Sequence, residues 1–284
     1  MALEVEIWQK DIVDNLYKEN AFLNTVTSED EYVLGGKVVH IPQAGAPSNV
    51  EKNRAVVPAG AVQRTDSEVL YSLNEFTTDP RLVRDAEKVE LSYNKRDSII
   101  YDDKMKIAEE VAEDLIDVYA RGLNTDHVVT EGAIARDSLQ KMQTMFNRHN
   151  IPMQDRYALV PANYIPLLFP DTEVTALLAM MRSNDERLNS MFENLYGFKI
   201  QMRSSVLTFD NSGALKPPGS VGAGDDTEGI LCYQKRSLAK AVGDIKMFDN
   251  PNKAEYYGDL ISFLLRAGGR RRRADDKGVG ILKV

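Results

Sequence analysis

Tyr233-Gln-Lys-Arg-Ser-Leu-Ala-Lys-Ala-Val242, Tyr256-Tyr-Gly-Asp-Leu-Ile261, Arg266-Ala-Gly-Gly-Arg-Arg-Arg-Arg273 and Gly278-Val-Gly-Ile-Leu-Lys-Val284 follow one another to the C-terminus. Short apolar runs divided by glycines and charges read as strand, strand, glycine turn, basic tip and terminal strand. The stretch carries no nucleophile, metal cluster or phosphate loop.

The bulk numbers narrow the class. A chain of 284 residues is long enough for one large domain or two small ones. Its 43% hydrophobic and 27% charged residues are near globular averages, which argues against disorder and collagen-like structure. The longest apolar runs, such as Leu177-Leu-Ala-Met-Met181 and Ile261-Ser-Phe-Leu-Leu265, are too short to span a bilayer, so no membrane role is expected. Glu4 and Glu6 stand where a signal peptide needs positive charge, and no export is indicated. The single cysteine, Cys232 in Gly229-Ile-Leu-Cys-Tyr233, excludes an intrachain disulfide framework and reads as a buried, inert thiol. A net charge of −8 gives no global attraction to DNA or anionic membranes.

Leu3, Ile7, Trp8, Ile12, Leu16 and Leu23 have the spacing of an amphipathic helix over 3–23, a face that needs a partner. A strand interrupted by Gly35-Gly36 is predicted over 32–41, and the Pro- and Gly-bearing stretch 42–58 reads as an extended linker. Residues 69–76 and 88–93 alternate as strands do, but Arg64, Asp66, Glu68, Asp79, Arg81, Arg84 and Asp85 surround them. Two or three strands with this much charge close no core alone. The expectation for 51–100 is a hairpin that projects from the body and is ordered by another subunit.

The clearest helix is 102–122. Ile107, Val111 and Leu115 form one apolar row and Ala108, Ala112, Ile116 and Tyr119 the next; Asp102 and Asp103 suit its start and Gly122 its left-handed end. A second helix is predicted from Thr130 to His149, stopped by Pro152, and a buried strand at Tyr157-Ala-Leu-Val-Pro161. Ser183-Asn-Asp-Glu186 has capping-box spacing and opens a short helix ended by Gly197. Phe198–Met202 alternates as a strand, and 209–229 reads as a surface loop. The total is α+β, without regular βαβ alternation.

Chemistry finds little support. Gly219 to Gly229 has glycines for a phosphate and Asp225, Asp226 and Glu228 for calcium, but lacks both the P-loop ending and EF-hand spacing. His40, His127 and His149 are scattered, and no three ligands converge to hold a metal. No cofactor, metal or catalytic residue is expected. Arg270, Arg271, Arg272 and Arg273 form the strongest charge cluster. With 43 acidic residues per copy, carboxylates across a subunit interface are favoured as partners over DNA.

The order of N-terminal arm, polar hairpin, long helix, second helix and mixed domain, closed by the C-terminal strands, resembles the major capsid proteins of tailed double-stranded DNA phages, of the Hong Kong 97-type fold. The resemblance implies an N-terminal arm at 1–50 and an extended loop, the E-loop, at 51–100. It implies a peripheral domain at 101–155 with spine helix 102–122, an axial domain at 156–243, and returning peripheral and C-terminal strands at 244–284. Tyr157–Pro161, Leu195-Tyr-Gly-Phe-Lys-Ile200 and Tyr233–Ala239 resemble axial strands and junctions. The implied function is a non-enzymatic coat protein that self-assembles in the host bacterial cytoplasm into hexamers and pentamers of an icosahedral virion shell, enclosing DNA without sequence-specific binding. A separate scaffolding protein and a portal are implied partners, with a decoration protein a further candidate. Arg270 to Arg273 and Trp8 are the candidate inter-subunit contacts. The arm begins at residue 1, so either scaffolding is supplied separately or the sequence is a mature form; no cross-link is expected. Two alternatives stand beside this reading: an encapsulin-like compartment shell, and a soluble enzyme holding a phosphorylated or calcium-bridged ligand at 219–229.

Overall fold

A computed structural model describes residues 17–31, 38–55, 60–84, 95–168, 194–220 and 224–284. Its longest strand, β13 at Gly258–Arg271, organises the first of two large sheets. The other strands are β1 Thr27–Ser28, β2 Val38–Gln43, β3 Ser67–Ser72, β4 Asn74–Thr77, β5 Arg81–Arg84, β6 Val128–Thr130, β7 Arg156–Pro161, β8 Lys199–Arg203, β9 Leu207–Phe209, β10 Thr227–Gln234, β11 Leu238–Val242, β12 Lys246–Lys253 and β14 Val279–Lys283. Leu264 of β13 faces Lys246 of β12 on one side and Thr77 of β4 on the other. Thus β11 and β12 run along one edge of β13 while β4 and β5 run along the other, all antiparallel to it.

Gly268 and Gly269 lie within β13, so the glycine turn expected there is not a turn. Bare backbone is required by close approach. A Cβ on Gly269 would sit 2.6 Å from the Ala239 carbonyl oxygen and 2.6 Å from Leu115 Cδ2. The real turn is 273–278, where Asp276 (φ 56°) and Gly278 (φ 92°) adopt left-handed backbone.

Leu115 belongs to α1, Lys95–Ala120, which lies across β13. The helix starts seven residues before the predicted 102: Arg96 pairs with Asp249 of β12, and Asp97 supplies the first-turn acid. Its 26 residues make it about 39 Å long. The predicted apolar rows face inward, with Val111, Leu115, Ile116 and Tyr119 nearly without solvent contact. Burying each such side chain is worth about 1.5–3 kcal/mol. Gly122 (φ 67°) follows the helix in the expected left-handed conformation.

The second sheet runs β6-β14-β10-β7-β8, with β9 beside β10. Its central strands are buried on both faces, which explains why they read as unbroken apolar runs. Tyr157, Leu159, Leu231, Tyr233 and Ile281 join the α1 core, while Ala158, Val160, Ile230, Cys232 and Leu282 face the opposite way. That opposite face carries α2, Arg136–Arg148, through Leu139, Met142 and Phe146. The helix predicted from Thr130 therefore begins later. The β-branched Val128-Val129-Thr130 instead adds a parallel strand to β14, and the Ser138 hydroxyl accepts the Ala135 N–H at the helix start. Residues 128–148 thus pack with the second sheet, although the expected boundary at 155 separates them from it. A short helix α3, Ile165–Leu168, follows β7.

Of the helix expected over 3–23, only 17–23 is described. It holds no α-helix: a single 3-10 turn, Ala21–Thr25, sends Phe22 and Val26 into the main core. The strand expected at 88–93, the helix opened by Ser183, and Trp8 lie outside the described residues.

Candidate assembly surfaces

The β2–β3 hairpin is an alternating ladder from Val38↔Ser72 to Gln43↔Ser67. Val39, Ile41, Val69 and Tyr71 point inward onto Ala239 and Ala241 of β11. His40 and Glu68 point outward and meet at 3.0 Å. Beyond the ladder, residues 44–55 and 60–66 form no strand or helix and bury no side chain. Val50 and Val62 are each 92% exposed. The base is closed locally, where the Gly45 N–H donates to Asp66 Oδ1 at 2.8 Å and Arg64 Nη2 donates to Asp66 Oδ2 at 2.8 Å. A Cβ at Gly45 would collide with the Thr65 carbonyl at 2.1 Å.

The projection expected over 51–100 is therefore shorter at one end and longer at the other. Its arms are β2 and β3 and its tip spans 44–66. The charged stretch 74–84 instead lines β13, with Val83 in the main core. Its charges sit on the outer face and hide the pairing: Glu75 takes two hydrogen bonds from Arg266 across the sheet, at 2.9 and 2.7 Å.

The basic cluster divides into four roles. Arg271 closes the end of α1: Nη1 donates to the carbonyls of Tyr119 at 3.1 Å and Arg121 at 2.8 Å, and Nε donates to Asp276 at 2.6 Å. A cation at the negative end of a long helix is favourable on dipole grounds as well. Arg272 stands 3.4 Å from the buried Glu29 carboxylate, which accepts the Tyr71 hydroxyl at 2.9 Å; the basic turn is thereby tied to the hairpin base. Burial and the Glu29 carboxylate together push the Tyr71 hydroxyl far above its ordinary pKa. Arg270 donates to the Leu70 carbonyl, and Arg273 pairs with Asp275 at the exposed end.

The remaining candidates do not come together. Of the candidate ligands in 219–229, Asp226 pairs with Lys216, and Glu228 lies on strand β10 rather than in a loop, where it accepts the Asn163 amide at 3.0 Å. His127 and His149 form an edge-to-face pair at 4.7 Å, remote in sequence and element from His40 on β2. Cys232 is fully buried, and burial raises its thiol pKa, which disfavours the thiolate. Among the described residues no group of three or more His, Cys, Asp or Glu is placed to hold a metal, and no helix is long and apolar enough to cross a membrane.

Three features were missed by the sequence reading. Glu29 binds the hairpin base, and Lys18, the buried Glu113 and the buried Arg203 form a charge group linking the N-terminal segment, α1 and β8. Arg156 is buried at the head of β7. Each was a charge in a polar local context, and only long-range packing hides it.

No protein-family model matches the sequence, and no curated protein sequence matches it. Solved structures do match. One from Mycobacterium phage Che8 aligns over 99% of this chain and 97% of its own at a TM-score of 0.72 and 18% identity. A capsid structure of cyanophage P-SCSP1u gives 0.71 at 15% identity, over 99% of this chain and 92% of that one. The cyanophage Pam1 capsid gives 0.72 at 8% identity, over 99% and 96%. What is shared at such identities is the fold, and it is shared along nearly the whole chain. The protein has the α+β, Hong Kong 97-type fold of phage capsid structures.

Proposed function

We propose that the protein is a major capsid protein that self-assembles into hexamers and pentamers of an icosahedral phage shell. The observation that carries the reading is the 44–66 projection: a tip whose described residues, 44–55 and 60–66, bury no side chain, at the end of a hairpin anchored to a dense body. A lone monomer gains nothing from such a segment, whereas a neighbouring copy in a shell gives it something to lie on. Residues 67–72 and 38–43 then act as the stem of the extended loop. The sheet around β13 with α1 acts as the peripheral domain, and the sheet around β10 with α2 as the axial domain. The protein is a structural component without catalytic activity, located in the virion and assembled in the host cytoplasm. A scaffolding protein, a portal and a decoration protein are its proposed partners. The acidic chain encloses DNA without sequence-specific contacts. Arg270, exposed near the end of β13, Arg273, exposed at the start of the turn, and Trp8 are proposed inter-subunit contacts.

Replacing residues 47–63 by a short Gly-Ser bridge tests the reading. The shortened protein is expected to stay folded, with unchanged helicity and melting temperature, and to form no closed shells by negative-stain microscopy. Normal shells from the shortened protein would sink the clamp role. Wild-type protein that never assembles, with or without scaffold, would sink the capsid reading itself. Closed shells that package protein and never DNA would replace it by a compartment.

A further inference from the structure

Three parts of the chain meet at one buried carboxylate. Glu29, on the N-terminal segment 17–31, is 7% exposed. Its Oε2 accepts the Tyr71 hydroxyl of the hairpin stem at 2.9 Å, and its Oε1 stands 3.4 Å from Arg272 Nε in the basic turn. The backbone around Glu29 is fixed to β11. Thr27 and Ser28 pair with Ala239 and Lys240, the Glu29 N–H donates to the Lys240 carbonyl at 2.7 Å, and Asp30 Oδ1 accepts the Val242 N–H at 2.8 Å.

The hairpin is held differently. Among the described residues β2 and β3 form a two-stranded sheet of their own, seated on β11 through the side chains of Val39, Ile41, Val69 and Tyr71. Apolar burial holds the hairpin down but is non-directional, so it does not fix the angle at which the hairpin leaves the body. Directional ties come from Tyr71 to Glu29, from Arg270 to the Leu70 carbonyl, and from Gln43 Nε2 to the Arg272 carbonyl at 3.5 Å. Of these, the bond to Glu29 is the one that is fully buried and that reaches the N-terminal segment.

We propose that Glu29 latches the hairpin to the N-terminal segment, so that the two stay seated or come loose together. The physical reason is the cost of stranding a buried polar group. When the hairpin lifts, the Glu29 carboxylate loses a partner; when the segment lifts, the Tyr71 hydroxyl is left buried without one. Such coupling is reciprocal by necessity. The latch is a property of the single chain, and only its use, to set the hairpin angle for a neighbouring copy, rests on the shell reading.

Hydrogen exchange on the unassembled full-length chain tests it, with residues 157–161 of β7 as the reference for the body. A two-stranded hairpin without support is marginal, so lifting shows as lost protection over 38–43 and 67–72. Tyr71→Phe keeps the ring and removes only the hydroxyl. It should lower protection about tenfold relative to the reference, both in the hairpin and in 21–30, which carries no substitution. Glu29→Ala should do the same, and Glu29→Gln, which keeps an acceptor for Tyr71, should restore part of the protection; if Glu29→Ala does not fold, Tyr71→Phe decides. The chain also joins the two regions through residues 30–37, and a cycle separates that route from the latch. Val26→Ala loosens the N-terminal segment from the core. It should lower hairpin protection in wild type and add little to the loss in the Tyr71→Phe background. The latch is overturned if Tyr71→Phe leaves either region as protected as in wild type, or if Val26→Ala acts equally on the hairpin in both backgrounds. Wild type that forms no particles bears on the shell reading alone, while the exchange result still decides the latch.

Discussion

The β7–β10–β14 sheet and the 44–66 tip occupy opposite extremes of one chain. In the sheet, successive residues of β10 alternate between two cores, so every side chain from Gly229 to Gln234 is buried. Among the described residues of the tip, 44–55 and 60–66, no side chain is buried. The first region is held by burial within the monomer and tolerates little change. The second contributes almost nothing to monomer stability, and selection can act on it only through what it touches. Substitutions should therefore fall into two groups with little between them, and four predictions test that division in order of falling effect on the monomer.

Gly269→Val should be the most damaging. Its Cβ would meet the Ala239 carbonyl and Leu115 Cδ2, each at 2.6 Å, and backbone cannot give way as a flexible side chain does. A loss of about 3 kcal/mol or failure to fold is expected, read by urea denaturation. A variant with wild-type stability would mean that α1 does not seat tightly on β13.

Arg271→Ala should cost about 2 kcal/mol, because it frees the carbonyls at the end of α1 and leaves the largely buried Asp276 unpaired. Arg273→Ala, which breaks an exposed pair two residues away, should change stability by less than about 0.5 kcal/mol. Equal effects would show that the cluster acts as a undivided patch of charge. The contrast between the two arginines sharpens the division within a single turn.

The third effect depends on pH. Burial first, and the adjacent His149 ring second, hold the His127 imidazole below its ordinary pKa, against the pull of Asp276, Asp275 and Asp126. The unfolded chain takes up that proton at a pH near about 6.5, before the folded one does. Stability should therefore be flat above that pH, fall as pH drops through it, and stop falling from this cause below the folded pKa. His127→Phe keeps a packed ring and should flatten the slope that opens as pH falls below about 6.5. An unchanged slope would assign the acid sensitivity to other groups.

The sequence made the body legible where burial is periodic. The apolar rows of α1, the unbroken run of β7 and the left-handed Gly122 are local signals, and each reappears in place. Sequence failed where pairing partners are distant. Residues 74–84 looked too charged for a body sheet because their outward residues are charged and their inward ones few, Phe76 and Val83 being the main two. Gly268-Gly269 looked like a turn because glycine signals either a bend or a close approach, and only the helix lying on it decides which. The four arginines looked like one patch because sequence does not show which of them reaches a helix end.

The smallest effect on the monomer is expected from Val50→Ser combined with Val62→Ser. Both side chains are 92% exposed, so neither loses a packed environment on substitution, and the folded and unfolded states see nearly the same water. The change in monomer stability should stay within about 0.5 kcal/mol. In a shell whose neighbours cover the tip, the same two side chains become buried, and removing them costs about 1–2 kcal/mol per contact, multiplied by the copy number of the particle. Assembly should then need a higher protein concentration, while the melting curve of the unassembled chain does not move. If assembly is equally unmoved, the tip is not covered by apolar contacts in the particle, and its hold on a neighbour must come from charges such as Arg54 and Glu51 instead.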